Sequence, residues 1–221
     1  MRILLVFLSA LLFFGCYYDY ILEDEKLKQN YLWPDGKVPF SLVGFNDRET
    51  SIIFDAMCEW SLASEGKIKF HPILDTKKNK ITIIKYSNFG YVGLSSCNGY
   101  EDKNEFIVVS VVEKEIILHE LGHILGLLHE FQRPDAVVYI DIKLNTMPGF
   151  DIFSFCPLDA EYFIYDYKKY PFDYNSIMFS GYERFFVKKD SSILEKIRGL
   201  SIIDAWKIQD LYGKDYEKFI H

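Results

Sequence analysis

The sequence predicts an α+β protein: strands and two helices first, then a loop-rich part closed by a further helix. Three observations predict it. Apolar residues recur at helical spacing in three stretches. Short runs rich in β-branched and aromatic residues lie beside them, bounded by turn residues. Residues 145–172 hold three prolines and sustain no period. The length suits one domain of generous size, or two small lobes around a cleft, and is enough to bury a core without disulfides.

The elements follow in order. Residues 1–16 read as an export signal. Arg2 supplies the positive end, and residues 3–14 are apolar but for one Ser, too short to span a bilayer comfortably and the right length for a signal core. A buried N-terminal helix or strand is the alternative. Gly15-Cys16 resembles the end of a lipobox, whose Cys is lipidated and becomes the mature N-terminus, with Phe13 where Leu is usual. That would attach the chain to a membrane through Cys16, as a surface or outer-membrane lipoprotein rather than a freely secreted one. Residues 17–30 read as a charged linker, and residues 31–215 as the folded domain.

Pro34-Asp35-Gly36 marks a turn, and residues 37–43 suit a strand. Ile52, Ile53, Ala56, Met57, Trp60 and Ala63 share one helical face, and Gly66 supplies a stop. Strands are expected at 68–70, 81–86 and 106–109. A second helix fits 112–127, with Glu113 and Glu115 in its first turn, where negative charge complements the helix dipole. Residues 137–142 read as another strand. The last helix covers 201–212, with Ser201 as N-cap, Asp204 at the capping-box position and Gly213 beyond its end.

A net charge of −7 with no basic stripe excludes nucleic acid as a partner. Cys58, Cys97 and Cys156 have no metal-ligand spacing; one disulfide among them is open, its pairing unspecified. Composition rich in Ile, Lys, Asn and Tyr is of the kind an AT-rich bacterial genome encodes.

Residues 119–129 carry the chemistry: His-Glu-Leu-Gly-His-Ile-Leu-Gly-Leu-Leu-His. On a helix, His119 and His123 lie one turn apart on one face and can aim ring nitrogens at one ion. Glu120 projects beside them and can accept a proton from a metal-activated water. Gly126, lacking Cβ, allows a sharp left-handed turn that returns His129 as third ligand. Three neutral imidazoles with an open fourth position describe a catalytic zinc site, one Zn²⁺ per chain. The alternative, satisfied core histidines, leaves unexplained why three of the five histidines fall within eleven residues. His71 and His221 join no pattern.

This run is similar to the elongated zinc motif of the metzincins, and Glu130 directly after it resembles the astacin family. Residues 33–40 (Trp-Pro-Asp-Gly-Lys-Val-Pro-Phe) are similar to the start of an astacin catalytic domain. Arg133 and Asp135 fit the family's continuation, and Tyr174-Asn175-Ser176-Ile177-Met178 resembles its Met-turn, with Met178 beneath the metal. Leu200-Ser201, Asp204, Ile208 and Leu211-Tyr212 resemble its last helix. The resemblance implies a two-lobed zincin: a twisted mixed sheet and active-site helix, then a loop-rich C-terminal lobe ending in a helix. It implies a zinc endopeptidase that acts on protein or peptide, with residues 106–109 as the edge strand pairing with substrate. The chain departs in three places. Phe179 and Ser180 stand where astacins carry His-Tyr, whose Tyr is a labile zinc ligand; Tyr182, two residues on, is the candidate oxyanion donor in its stead, the alternative being a tyrosine that only packs on the surface. Lys67 and Asn88 stand at two of the family's cysteine positions. The family's propeptide has no counterpart in 17–30, and the residue matching Glu130 meets a newly cut N-terminus in astacins, so Glu130 needs another partner if Cys16 is lipidated. The rival expectation is a surface lipoprotein of the same fold that binds peptide with little turnover.

Overall fold

Strand β1 (Lys37–Val43) stands near the middle of a five-stranded sheet, between β2 (Lys69–Pro72) and β3 (Ile81–Lys85). Beyond β3 come β5 (Glu105–Val109) and then β4 (Gly93–Ser95), giving the order β2-β1-β3-β5-β4. All pairings are parallel except β4 with β5, which run antiparallel with Gly93 opposite Val109. The computed structural model describes residues 31–73, 80–87, 93–96, 99–100, 104–143 and 155–213. The expected export signal, Cys16, the linker, Asn88, Cys97 and residues 214–215 lie outside the described residues. Among those described, no helix is long and apolar enough to cross a membrane, and Cys58, exposed on the first helix, is a free thiol.

That helix, α1 (Asp47–Ala63), begins with a capping box: Asn46 accepts from the Glu49 amide, and Glu49 accepts from the Asn46 amide. Its expected face is the one that packs. Ile53, Ala56, Met57 and Trp60 are buried, while Ile52 and Ala63 flank them half-buried. Helix α2 (Lys114–Ile124) crosses beneath, and two buried indoles fix it: Trp60 Nε1 donates to Leu118 O at 3.0 Å and Trp33 Nε1 to Ile124 O at 2.9 Å. Truncating a buried Trp costs about 3–5 kcal/mol, so the two anchors contribute substantially.

The second, loop-rich lobe contains a ribbon of β6 (Ile140–Ile142) and β7 (Phe186–Lys188), short 3-10 turns and, closing it, helix α3 (Ile202–Tyr212). Ser201 and Asp204 make the expected capping box. Helix α3 packs back on α1, where Gln209 Nε2 donates to Ala63 O at 2.7 Å.

Three expectations need correction. The strand expected at 106–109 is not the edge. It lies inside the sheet, and the edge on that side is β4, which the sequence did not mark. Alternating burial along β5 marks one covered face, and edge and interior strands share that feature. The helix expected over 112–127 ends at Ile124, because Gly126 adopts φ +98 and reverses the chain. The strand expected at 137–142 is a 3-10 turn at Ala136–Val138 followed by β6.

Candidate active site

The end of α2 builds the site. Leu127 N donates to Gly122 O and Gly126 N to His123 O, closing the helix in a Schellman motif around left-handed Gly126. The turn also orients a side chain: the Leu127 carbonyl accepts from His123 Nδ1 at 2.8 Å. Two residues on, His129 swings back towards the helix. Its Nε2 lies 3.1 Å from Nε2 of His119 and 3.1 Å from Nε2 of His123.

The other ring nitrogens are all engaged. His119 Nδ1 lies 2.9 Å from Ile177 O and His129 Nδ1 2.9 Å from Gln132 Oε1. Each Nδ1–H therefore donates to an oxygen, leaving three Nε2 lone pairs turned towards one point. Burial depresses the pKa of His119 to about 4 and, aided by the His119 imidazole, that of His123 to about 3. Burial, His123 and His119 hold His129 well below its usual range. Three neutral nitrogens aimed at one another, with no donor between them, are a group that could hold a metal ion. Nitrogens bound tetrahedrally to zinc would stand about 3.3 Å apart. The 3.1 Å separations match, so the residues present fit zinc.

The side chain of Glu120 projects from α2 against β4. A Cβ on Gly93 would fall 2.6 Å from Glu120 Oε1, so only glycine lets the strand pass so close. Burial pushes the carboxyl up to about 8, while hydrogen bonds from the Ser95 side chain and backbone pull it down. A cation at the neighbouring imidazoles would pull it further.

Below the histidines runs the segment around Met178, which is fully buried. A Cβ on Gly122 would lie 2.4 Å from Met178 Sδ, so the helix and the segment meet at glycine. Asp204 on α3 fixes the segment: its carboxylate accepts from Ser176 Oγ at 2.6 Å and Ile177 N at 2.7 Å. After Met178 the chain turns through Gly181, φ +84, and brings the Tyr182 ring to 4.9 Å from that of His129 and 5.9 Å from that of His119.

Sequence reasoning left Glu130 without a partner. It is fully buried; its Oε1 accepts from Arg133 Nη1 and Asp173 N, both at 2.9 Å, and its Oε2 from Lys207 Nζ at 2.6 Å. Lys207, Gln132, Ser95 and Gly93 were all missed. Gln132 carried a usable signal in its position three residues after His129; the others reach the site only through tertiary packing.

The family model described as Astacin, a peptidase family, matches residues 25–207. Nematocyst expressed protein 6 of Nematostella vectensis is 28% identical over 169 residues, 71% of this chain and 54% of that protein. Zinc metalloproteinase nas-14 of Caenorhabditis elegans is 29% identical over 192 residues, 85% of this chain and 37% of that protein. The chain thus spans about half or less of the length of these relatives. Among solved structures, the hatching enzyme zinc-protease HCE-1 of Oryzias latipes superposes with a TM-score of 0.68 at 21% identity, covering 83% of this chain and 94% of that one. Myroilysin superposes at 0.55 with 20% identity, covering 84% and 97%. Both likenesses concern the fold.

Proposed function

Since this chain belongs to the astacin family of peptidases, we propose that it is a zinc endopeptidase in which His119, His123 and His129 hold the metal and Glu120 is the general base. The observation that carries the reading is the convergence of three Nε2 atoms, each with its Nδ1 against an oxygen, on the helix that also carries Glu120. Zinc held there supplies Lewis acidity, polarising the scissile carbonyl and easing the deprotonation of water.

The remaining steps belong to the protein. Glu120 takes the proton of the attacking water and returns it to the leaving amine. The Ser95 hydrogen bonds keep its carboxyl against β4. That strand ends the sheet, and among the described residues its outer edge pairs with no strand. An extended peptide added along it would pass beside Glu120. Tyr182, next to His129, is the candidate oxyanion donor. Met178 supports the site from below without binding metal.

The rival reading of a peptide binder with little turnover drew on the tyrosine missing directly after the Met-turn. A phenol beside the histidines weakens that motive. The substrate class is protein or peptide. Export is part of the proposal, with residues 1–16 as the signal, 17–30 as linker and 31–215 as the catalytic domain.

The full chain should bind one zinc and cleave denatured protein. His123→Ala should lose most of the metal together with the cleavage, because two ligands rarely hold zinc. Stoichiometric zinc in that variant would place the site elsewhere.

A further inference from the structure

Glu130 is joined by one peptide bond to His129, so whatever holds its carboxylate also holds the backbone that delivers the third imidazole. A buried carboxylate is tolerated only when paired. Three donors surround this one, and Arg133 cannot be spared to cover both oxygens. Its guanidinium also donates to Asp135 through Nε and Nη2, to Pro171 O and to Tyr170 O. The second oxygen belongs to the Lys207 ammonium, reaching across from α3 with 1% of its side chain exposed. The same ammonium lies 5.6 Å from the centre of the buried Tyr165 ring.

We propose that Lys207 is a positioning residue for the metal centre, its ammonium pinning Glu130 and through it the backbone that carries His129. The inference rests on the ligand set proposed above. One turn earlier on α3, Asp204 accepts from Ile177 N, while Ile177 O accepts from His119 Nδ1. Two oppositely charged residues at i and i+3 on one helix thus reach the first and the third imidazole, each through a single intermediary. Helix α3 lies in the second lobe and contributes no ligand of its own, yet it fixes the separation of His119 and His129.

Zinc affinity measured against a competing chelator, and the visible spectrum of the cobalt-loaded full chain, test this without reference to activity. Lys207→Met should weaken zinc by ~10–100-fold, the usual effect of losing an outer partner, and alter the cobalt spectrum. Ile208→Ala, a cavity on the same helix, should lower thermal stability while leaving both metal readouts as in the wild type. Glu130→Gln should also weaken zinc, and adding it to Lys207→Met should cost little more than Lys207→Met alone, because both act through one contact. Wild-type affinity and spectrum in Lys207→Met, or a double variant whose loss equals the sum of the two single losses, would overturn the proposal. If Lys207→Met does not fold, the double variant compared with Glu130→Gln decides: equal affinity supports action through Glu130, and a further loss refutes it. A wild-type chain that binds no zinc would fail the ligand assignment itself.

Discussion

At the scale of single residues, the site depends on which nitrogen of each histidine is left free. Carbonyls of Ile177 and Leu127 and the side-chain amide of Gln132 settle that by accepting from Nδ1. His119, Glu120 and His123 could be proposed from helical spacing, and His129 from the turn that Gly126 allows. Their anchors could not, since Ile177 lies 58 residues from His119 in the chain. Tyr182 sat between these cases: its reach was readable, but its direction depended on the turn at Gly181. Tyr182→Phe removes only the hydroxyl. It should lower kcat at least about tenfold, towards the ~10²–10³ typical of a lost oxyanion donor, with KM little changed. Steady-state kinetics would check this. An unchanged kcat, together with a gain in Ser180→Tyr, would show that the enzyme works without a phenol donor.

At the scale of elements, α2 and the turn after it act as one unit. Gly126 ends the helix, presents the Leu127 carbonyl to His123 and redirects the chain to His129. A side chain there would be strained at φ +98, and its Cβ would fall 2.3 Å from Ile164 Cδ1. Gly126→Ala should therefore cost about 1–3 kcal/mol of stability. It should also weaken zinc binding, unlike an equally destabilising change in β1. Thermal unfolding and chelator competition on the same samples would check both. The requirement for glycine was readable from its place in the motif. The identity of the edge strand was not: β4 is three residues long and includes Gly and Ser, so it carries no periodicity, and sheet order is decided by pairing between distant segments.

At the scale of the whole molecule, burial between the two lobes tunes the site. With burial holding His119 at about 4 and His123 at about 3, both imidazoles stay neutral and keep their lone pairs well below the pH at which free histidine protonates. Zinc affinity should accordingly stay nearly level from about pH 7 to about pH 5, then fall as the pH approaches about 4 and protons compete for Nε2. A steady decline beginning near the ordinary histidine pKa of about 6.5, read by chelator competition, would contradict the burial argument. The α+β class and the capped helices α1 and α3 were legible because caps and amphipathic faces are local. The contacts of α3 with Ile177 and Glu130 were not, because they join segments far apart in sequence. The proposed chemistry is tested most directly by zinc content and cleavage of denatured protein, measured together on the wild type and Glu120→Ala. A variant that keeps its zinc and its fold yet loses activity by several orders of magnitude is the result expected, since the proposed base is gone. Near-normal turnover by zinc-loaded Glu120→Ala would contradict it.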